Sequence, residues 1–109
     1  MDVKVINGAL KVFGEEAQMD KAVEELAELI VAIQKFKQSS VNDNTSTKTM
    51  MKRVADITDE LADVTIIIKQ LSIIFGERDV EKRINFKLKR LNSRIELFNG
   101  YNPNQKEMF

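Results

Sequence analysis

The 109-residue chain contains no cysteine and no histidine. Without cysteine there can be no disulfide, thiolate metal site or cysteine nucleophile, a composition that suits the reducing cytoplasm. Without histidine no imidazole can serve as base or ligand, so any metal must be held by oxygen, which selects hard ions such as Mg2+ or Mn2+. The same absence removes the Glu-x-x-His ligand pair of di-iron carboxylate bundles. One proline and four glycines leave long stretches free of helix breakers. Excess charge of one sign is also missing: 17 basic residues balance 17 acidic ones. That balance argues against a nucleic-acid coat or an anionic-membrane binder and makes any charge effect local. No apolar run approaches the roughly 20 residues of a membrane span, and the start MDVKVINGALKVFGEE lacks the apolar core of a signal peptide. The expectation is a cytoplasmic, single-domain protein without membrane contact, small enough to gain buried apolar surface by oligomerisation.

The apolar spacing predicts an all-α fold, a bundle of about four helices completed by oligomerisation. A short amphipathic segment covers about residues 3 to 12, with Val3, Ile6, Leu10 and Val12 on its apolar face, and ends near Gly14. A long helix follows from about Glu15 to Lys37. The stretch SSVNDNTST, residues 39 to 47, has turn composition and offers Thr45, Ser46 or Thr47 as a cap. A third helix runs from about Lys48 to Phe75 and breaks at Gly76. A fourth starts at an Asp79 N-cap and reaches about Phe98, closed by Asn99-Gly100. Residues 1–98 are thus expected to be one helical domain and residues 99–109 a loosely packed tail.

Two carboxylate pairs stand out, Glu25/Glu28 in EELAEL and Glu60/Asp63 in DELADV. Each has the i, i+3 spacing that puts both side chains on one helical face. On a helical wheel Leu26, Leu29, Ile30, Ile33 and Phe36 define an apolar arc of the second helix. Glu25 falls inside that arc and Glu28 at its edge, while Glu24 points to the opposite side. In the third helix Ile57, Leu61, Val64, Ile68, Leu71 and Phe75 form the main arc, with Glu60 within it and Asp63 at its border. Asp59 points elsewhere. An acidic pair on a helix is ordinarily a solvated surface feature of little energetic weight. Two matched pairs set against apolar arcs are different, because a carboxylate beside a core needs a counter-charge, and several converging on one cation keep their charge at lower cost.

The fourth helix carries Val80, Ile84, Leu88, Leu91, Ile95 and Phe98 as an apolar stripe, with Arg83, Lys87, Arg90 and Arg94 along one flank. Such cations either snorkel along the stripe or, together with a metal, neutralise a polyphosphate. Lys21, one turn before Glu25, has the same two roles open to it. Phe13, Phe36 and Tyr101 are the aromatic candidates for stacking on a base, in competition with a plain core role. Two functions from different classes fit: a metal-dependent hydrolase of a phosphate substrate, or a non-catalytic helical module for oligomerisation or partner binding.

Gln18, Lys21, the run EELAEL and the run DELADV, in that order, resemble the ExxE and ExxD motifs of the MazG-like all-α nucleoside triphosphate pyrophosphatases. That superfamily also includes dimeric dUTPases and phosphoribosyl-ATP pyrophosphatases, and the resemblance spans about residues 10 to 98. It implies a helical bundle assembled as a homodimer or homotetramer that binds Mg2+ and cuts between the α- and β-phosphates of a nucleoside triphosphate. By motif, Glu25, Glu28, Glu60 and Asp63 would be the metal ligands and catalytic acids. Lys21 would contact phosphate, and Lys87 and Arg90 correspond to basic positions of the family's last helix.

Overall fold

The structure, a computed structural model, describes residues 1–40 and 45–99. They form an all-α fold of four helices, α1 Val3–Phe13, α2 Glu15–Ser40, α3 Thr47–Phe75 and α4 Glu77–Asn99, with no strand among the described residues. By its internal contacts the chain divides into two units, residues 1–74 and 75–109.

In the first unit, α1 is capped by Asp2, whose Oδ1 accepts the backbone N–H of Lys4 at 3.0 Å and of Val5 at 3.4 Å. It stops at Gly14, which adopts φ 88°, a conformation that side chains other than glycine rarely take. The Gly14 N–H closes the helix on the Leu10 carbonyl at 2.9 Å. α1 lies against α2 and buries Ile6. Of the three cap candidates before α3, Ser46 is the one used: its Oγ accepts the Thr49 N–H at 3.1 Å and donates to Thr49 Oγ1 at 2.9 Å.

α2 and α3 form an antiparallel hairpin with a heptad seam. On α2 the seam is Gln18, Ala22, Glu25, Leu29, Ala32, Phe36 and Ser39, and on α3 it is Arg53, Ile57, Glu60, Val64, Ile67, Leu71 and Ile74, all buried or half-buried. Both alternate steps of three and four, the period at which two helices keep the same faces together. The register can be read from cross-seam partners. Arg53 Nη1 donates to the Lys35 carbonyl at 2.9 Å, Glu28 and Glu60 line one cavity, Glu25 meets Asp63, and Gln18 and Gln70 line another cavity. The two residue numbers have the same sum in every pair, which is the signature of an unbroken antiparallel register.

This seam corrects the expected apolar arcs. Leu29, Phe36, Ile57, Val64 and Leu71 do face it, but Leu26, Ile30, Ile33, Leu61, Ile68 and Phe75 are exposed, Ile30 to 61% and Phe75 to 67%. Val23, Leu26, Ile30 and Ile33 each follow a seam residue of α2 by one position, as Val54, Leu61 and Ile68 do on α3. One position is a rotation of about 100°, and in an antiparallel pair that rotation turns both stripes to the same side of the hairpin. The larger aliphatic side chains therefore make a second, uncovered face, while small and polar residues fill much of the seam.

In the second unit α4 starts directly after Gly76, whose φ of 114° breaks the helical path. The Val80 N–H donates to the Gly76 carbonyl at 3.1 Å. Asp79, expected as the N-cap, lies inside the first turn with Glu77, where negative charge suits the helix N-terminus. Ile84, Leu88 and Leu91 of the apolar stripe are exposed, as are Arg83, Lys87, Arg90 and Arg94 on its flank. The Arg83 guanidinium sits 4.9 Å from the centroid of the Phe86 ring. Residues 41–44 of the expected 39 to 47 turn and residues 100–109 of the expected tail, Tyr101 among them, lie outside the described residues. Among the described residues no helix is long and apolar enough to cross a membrane.

Candidate functional site

Helical spacing puts Glu25 and Glu60 on seam positions of facing helices, and Glu28 and Asp63 on the flank beside the seam. One carboxylate oxygen each from Glu25, Glu60 and Asp63 lie within 4.8 Å of one another. Glu28 stands outside this trio, and it lines the larger cavity together with Glu60. All four acids expected from the sequence are thus brought together, three as a cluster and the fourth as its neighbour.

Burial at this site is uneven. Glu25 is only 6% exposed, Glu60 is half-buried and Asp63 is open to solvent. Glu25 Oε1 pairs with Lys21 Nζ at 3.1 Å, but Glu25 Oε2 and Glu60 Oε2 are buried with no hydrogen-bond partner among the described residues. Desolvation, and then the negative fields of Glu28, Glu25 and Asp63 with the Glu28 hydrogen bond, push the Glu60 carboxyl above the ordinary carboxylate range. Lys21 is shifted upward as well, first by its hydrogen bond to Glu25 and then by the charges of Glu24, Glu25 and Glu28.

These observations fit a hard divalent cation. The donor set is all oxygen, two of its buried oxygens are unpaired, and burial together with the neighbouring acids holds a proton on Glu60 more tightly. Two Mg–O bonds of about 2.1 Å span at most about 4.2 Å, so three oxygens within 4.8 Å of one another need only small side-chain rotations to close on one ion.

Two cavities open on the flank of the seam that carries Asp63 and Glu28. One, of about 380 Å3, is lined by Ala27, Val31 and Ala32 together with Glu28, Lys35, Asp56, Asp59 and Glu60. Asp59, set aside from its wheel position, is exposed yet lines this groove, while Asp56 is tied to Lys52 at 3.1 Å. The other cavity, of about 130 Å3, is bounded by Gln18, Lys21, Glu25, Asp63, Ile66, Ile67 and Gln70. Gln70 was not legible as a site residue, being one amide beside Lys69 in a largely apolar run. The available signal was its position, two turns from Asp63 on the same flank. Of the basic candidates, Lys21 belongs to the cluster, whereas Lys87 and Arg90 are exposed on α4 in the second unit. No protein family, curated protein or solved structure matches this chain.

Proposed function

We propose that the chain is a MazG-like, Mg2+-dependent nucleotide pyrophosphohydrolase of the cytoplasm, which hydrolyses the α–β phosphoanhydride of a nucleoside triphosphate to the monophosphate and pyrophosphate. The observation that carries this reading is the convergence of Glu25, Glu60 and Asp63 oxygens within 4.8 Å, with two buried carboxylate oxygens left unpaired. Glu25, Glu60 and Asp63 would hold the ion, with Glu28 steadying Glu60 from behind. Bound there, Mg2+ would neutralise phosphate oxygens and lower the pKa of a water. Lys21, half-exposed beside Glu25, offers its ammonium to a phosphate oxygen, and Lys87 and Arg90 are the candidate phosphate contacts on α4. One of the glutamates would accept the proton that the attacking water loses.

The uncovered face of the hairpin supports assembly with a second copy as a homodimer or homotetramer, because two heptad stripes on one side of a helix pair are half of a four-helix bundle. That same face is the observation favouring the second reading, a non-catalytic helical oligomerisation or partner-binding module. Incubation with a panel of canonical and modified nucleoside triphosphates and Mg2+, scoring pyrophosphate and monophosphate, separates the two. Turnover of at least one nucleotide is expected. Failure to hydrolyse any would leave the module reading, and release of orthophosphate would mean a different bond is cut.

A further inference from the structure

Gln70 is 4% exposed and Gln18 8% exposed, and both line the smaller cavity beside the acids. A buried amide is costly unless both its ends are hydrogen-bonded, yet Gln70 Oε1 has no partner among the described residues. Ile66 and Ile67 supply apolar wall next to these amides. An apolar surface beside an unpaired, edge-reading amide is the combination by which proteins hold a flat heterocycle.

Size restricts the heterocycle. A closed protein cavity of roughly 150 Å3 accommodates a benzene ring, and this one, about 130 Å3 and open to solvent on one side, suits a single six-membered ring better than a fused bicycle. Position agrees with size. Gln70 is seven residues beyond Asp63 and Gln18 seven before Glu25, which at about 1.5 Å per residue sets both amides about 10 Å along the hairpin from the carboxylates. That is roughly the reach from an α-phosphorus across a furanose to the far edge of a pyrimidine. The larger groove, on the same flank beyond the acids, is lined by carboxylates, Lys35 and small apolar residues and has no amide side chain.

We infer that the cavity between Gln18, Gln70, Ile66 and Ile67 is the base subsite, and that it selects pyrimidine nucleotides over purine nucleotides. This rests on the proposed hydrolase function and names the substrate class of that site. The Gln70 carboxamide presents an acceptor and a donor side by side. Turned toward the base, Oε1 accepts from the amino group of cytosine or the ring N–H of uracil, and Nε2 donates to the adjoining ring nitrogen or carbonyl oxygen.

Two measurements test it. With Mg2+, kcat/KM across dCTP, dUTP, dTTP, dATP and dGTP is expected to favour the pyrimidines by about tenfold or more, the worth of one well-made hydrogen bond. In Gln70→Met, an unbranched replacement of similar length, that ratio collapses toward unity. Titration of the unmodified protein with dCMP or dAMP, followed by NMR at the Ile66 and Ile67 methyl groups, is expected to show saturable shifts with dCMP only. Hydrolysis with equal use of purines and pyrimidines, or a Gln70→Met variant that keeps the wild-type preference, would overturn the subsite while leaving the hydrolase standing. Methyl shifts with dCMP but no hydrolysis of any triphosphate would support the subsite and defeat the hydrolase. Neither shifts nor turnover would defeat both.

Discussion

The two faces of the α2–α3 hairpin invert the usual rule of burial. Along the seam, where the chain excludes water, lie Gln18, Glu25 and Ser39 with the neighbouring Gln70. One position around the helices, Val23, Ile30, Ile33, Leu61 and Ile68 stay in solvent. Leaving a large aliphatic side chain exposed forgoes about 1.5–3 kcal/mol, and burying an amide with an open end costs about 1–3 kcal/mol. A chain that accepted both penalties for nothing would be poorly designed for folding alone. On the proposed reading each face would be completed by something else, the polar one by an ion and a substrate and the apolar one by a second copy.

The largest effect should come from attacking the apolar face. Leu61→Glu with Ile68→Glu removes four aliphatic side chains per dimer, each worth about 1.5–3 kcal/mol of burial, and places like charges opposite one another. Sedimentation equilibrium should show the wild-type chain as an oligomer and the double variant as a monomer at the same concentration. A wild-type chain that is already monomeric at high concentration would remove the second copy from the account and leave the stripe unexplained.

Next in size is the polar face. Glu60→Gln keeps the shape of the side chain but removes a ligand charge, and pyrophosphate release should fall at least about a hundredfold, the upper range for disturbing even outer-shell metal contacts. The same variant should melt at a higher temperature than the wild type in the absence of metal, because it deletes the charge that Glu25, Glu28 and Asp63 oppose. Loss of activity joined to gain of metal-free stability is the pattern expected of a functional carboxylate and not of a structural one. A variant that hydrolyses nucleotide at the wild-type rate would sink the proposed metal site.

A smaller effect follows from the direction of the Glu60 shift. Its folded pKa lies above its unfolded one, so its contribution to stability is fully present below the ordinary carboxylate range and is lost as the pH rises through the raised value. The metal-free protein should therefore lose melting temperature between mildly acidic and neutral pH, as far as this group is concerned. Mg2+ should restore the loss at neutral pH and do little in acid, where protons compete for the same oxygens. Thermal unfolding followed by circular dichroism at the two pH values, with and without Mg2+, measures both. Equal stabilisation by Mg2+ at the two values would place the ion elsewhere.

The helices were legible because their punctuation is strong. Gly14 and Gly76 both take positive φ where the breaks were expected, and the four helices match their expected bounds within about three residues. The exception at Ser39 has a physical cause: its Oγ donates to the Lys35 carbonyl at 3.0 Å, a back-bond that lets serine continue a helix which composition alone would have ended. The inward face was harder to read. Hydrophobicity alone ranks Leu61 and Ile68 above the small and polar residues that fill the seam, yet both are exposed in this chain. Glu25, Glu60 and Asp63 were legible because their spacing set acids among apolar neighbours. Gln70 was not, since a lone amide carries no charge to demand a partner and only its burial exposes the open acceptor.

The smallest change serves as the control for the comparison. Ser46 caps α3 away from both faces, its Oγ accepting the Thr49 N–H at 3.1 Å. Ser46→Ala should lower stability by about 1 kcal/mol, a shift of a few degrees in melting temperature, with oligomeric state and pyrophosphate release unchanged. The reason lies in where the cap acts. It satisfies N–H groups of the first turn of α3, whereas the hairpin register is fixed farther along by Arg53 on the Lys35 carbonyl at 2.9 Å and by the seam beyond it. A Ser46→Ala protein that lost activity without losing its fold would show that the cap sets the register. The acids would then owe their convergence to the end of α3, and not to the seam in which Glu25 and Glu60 lie.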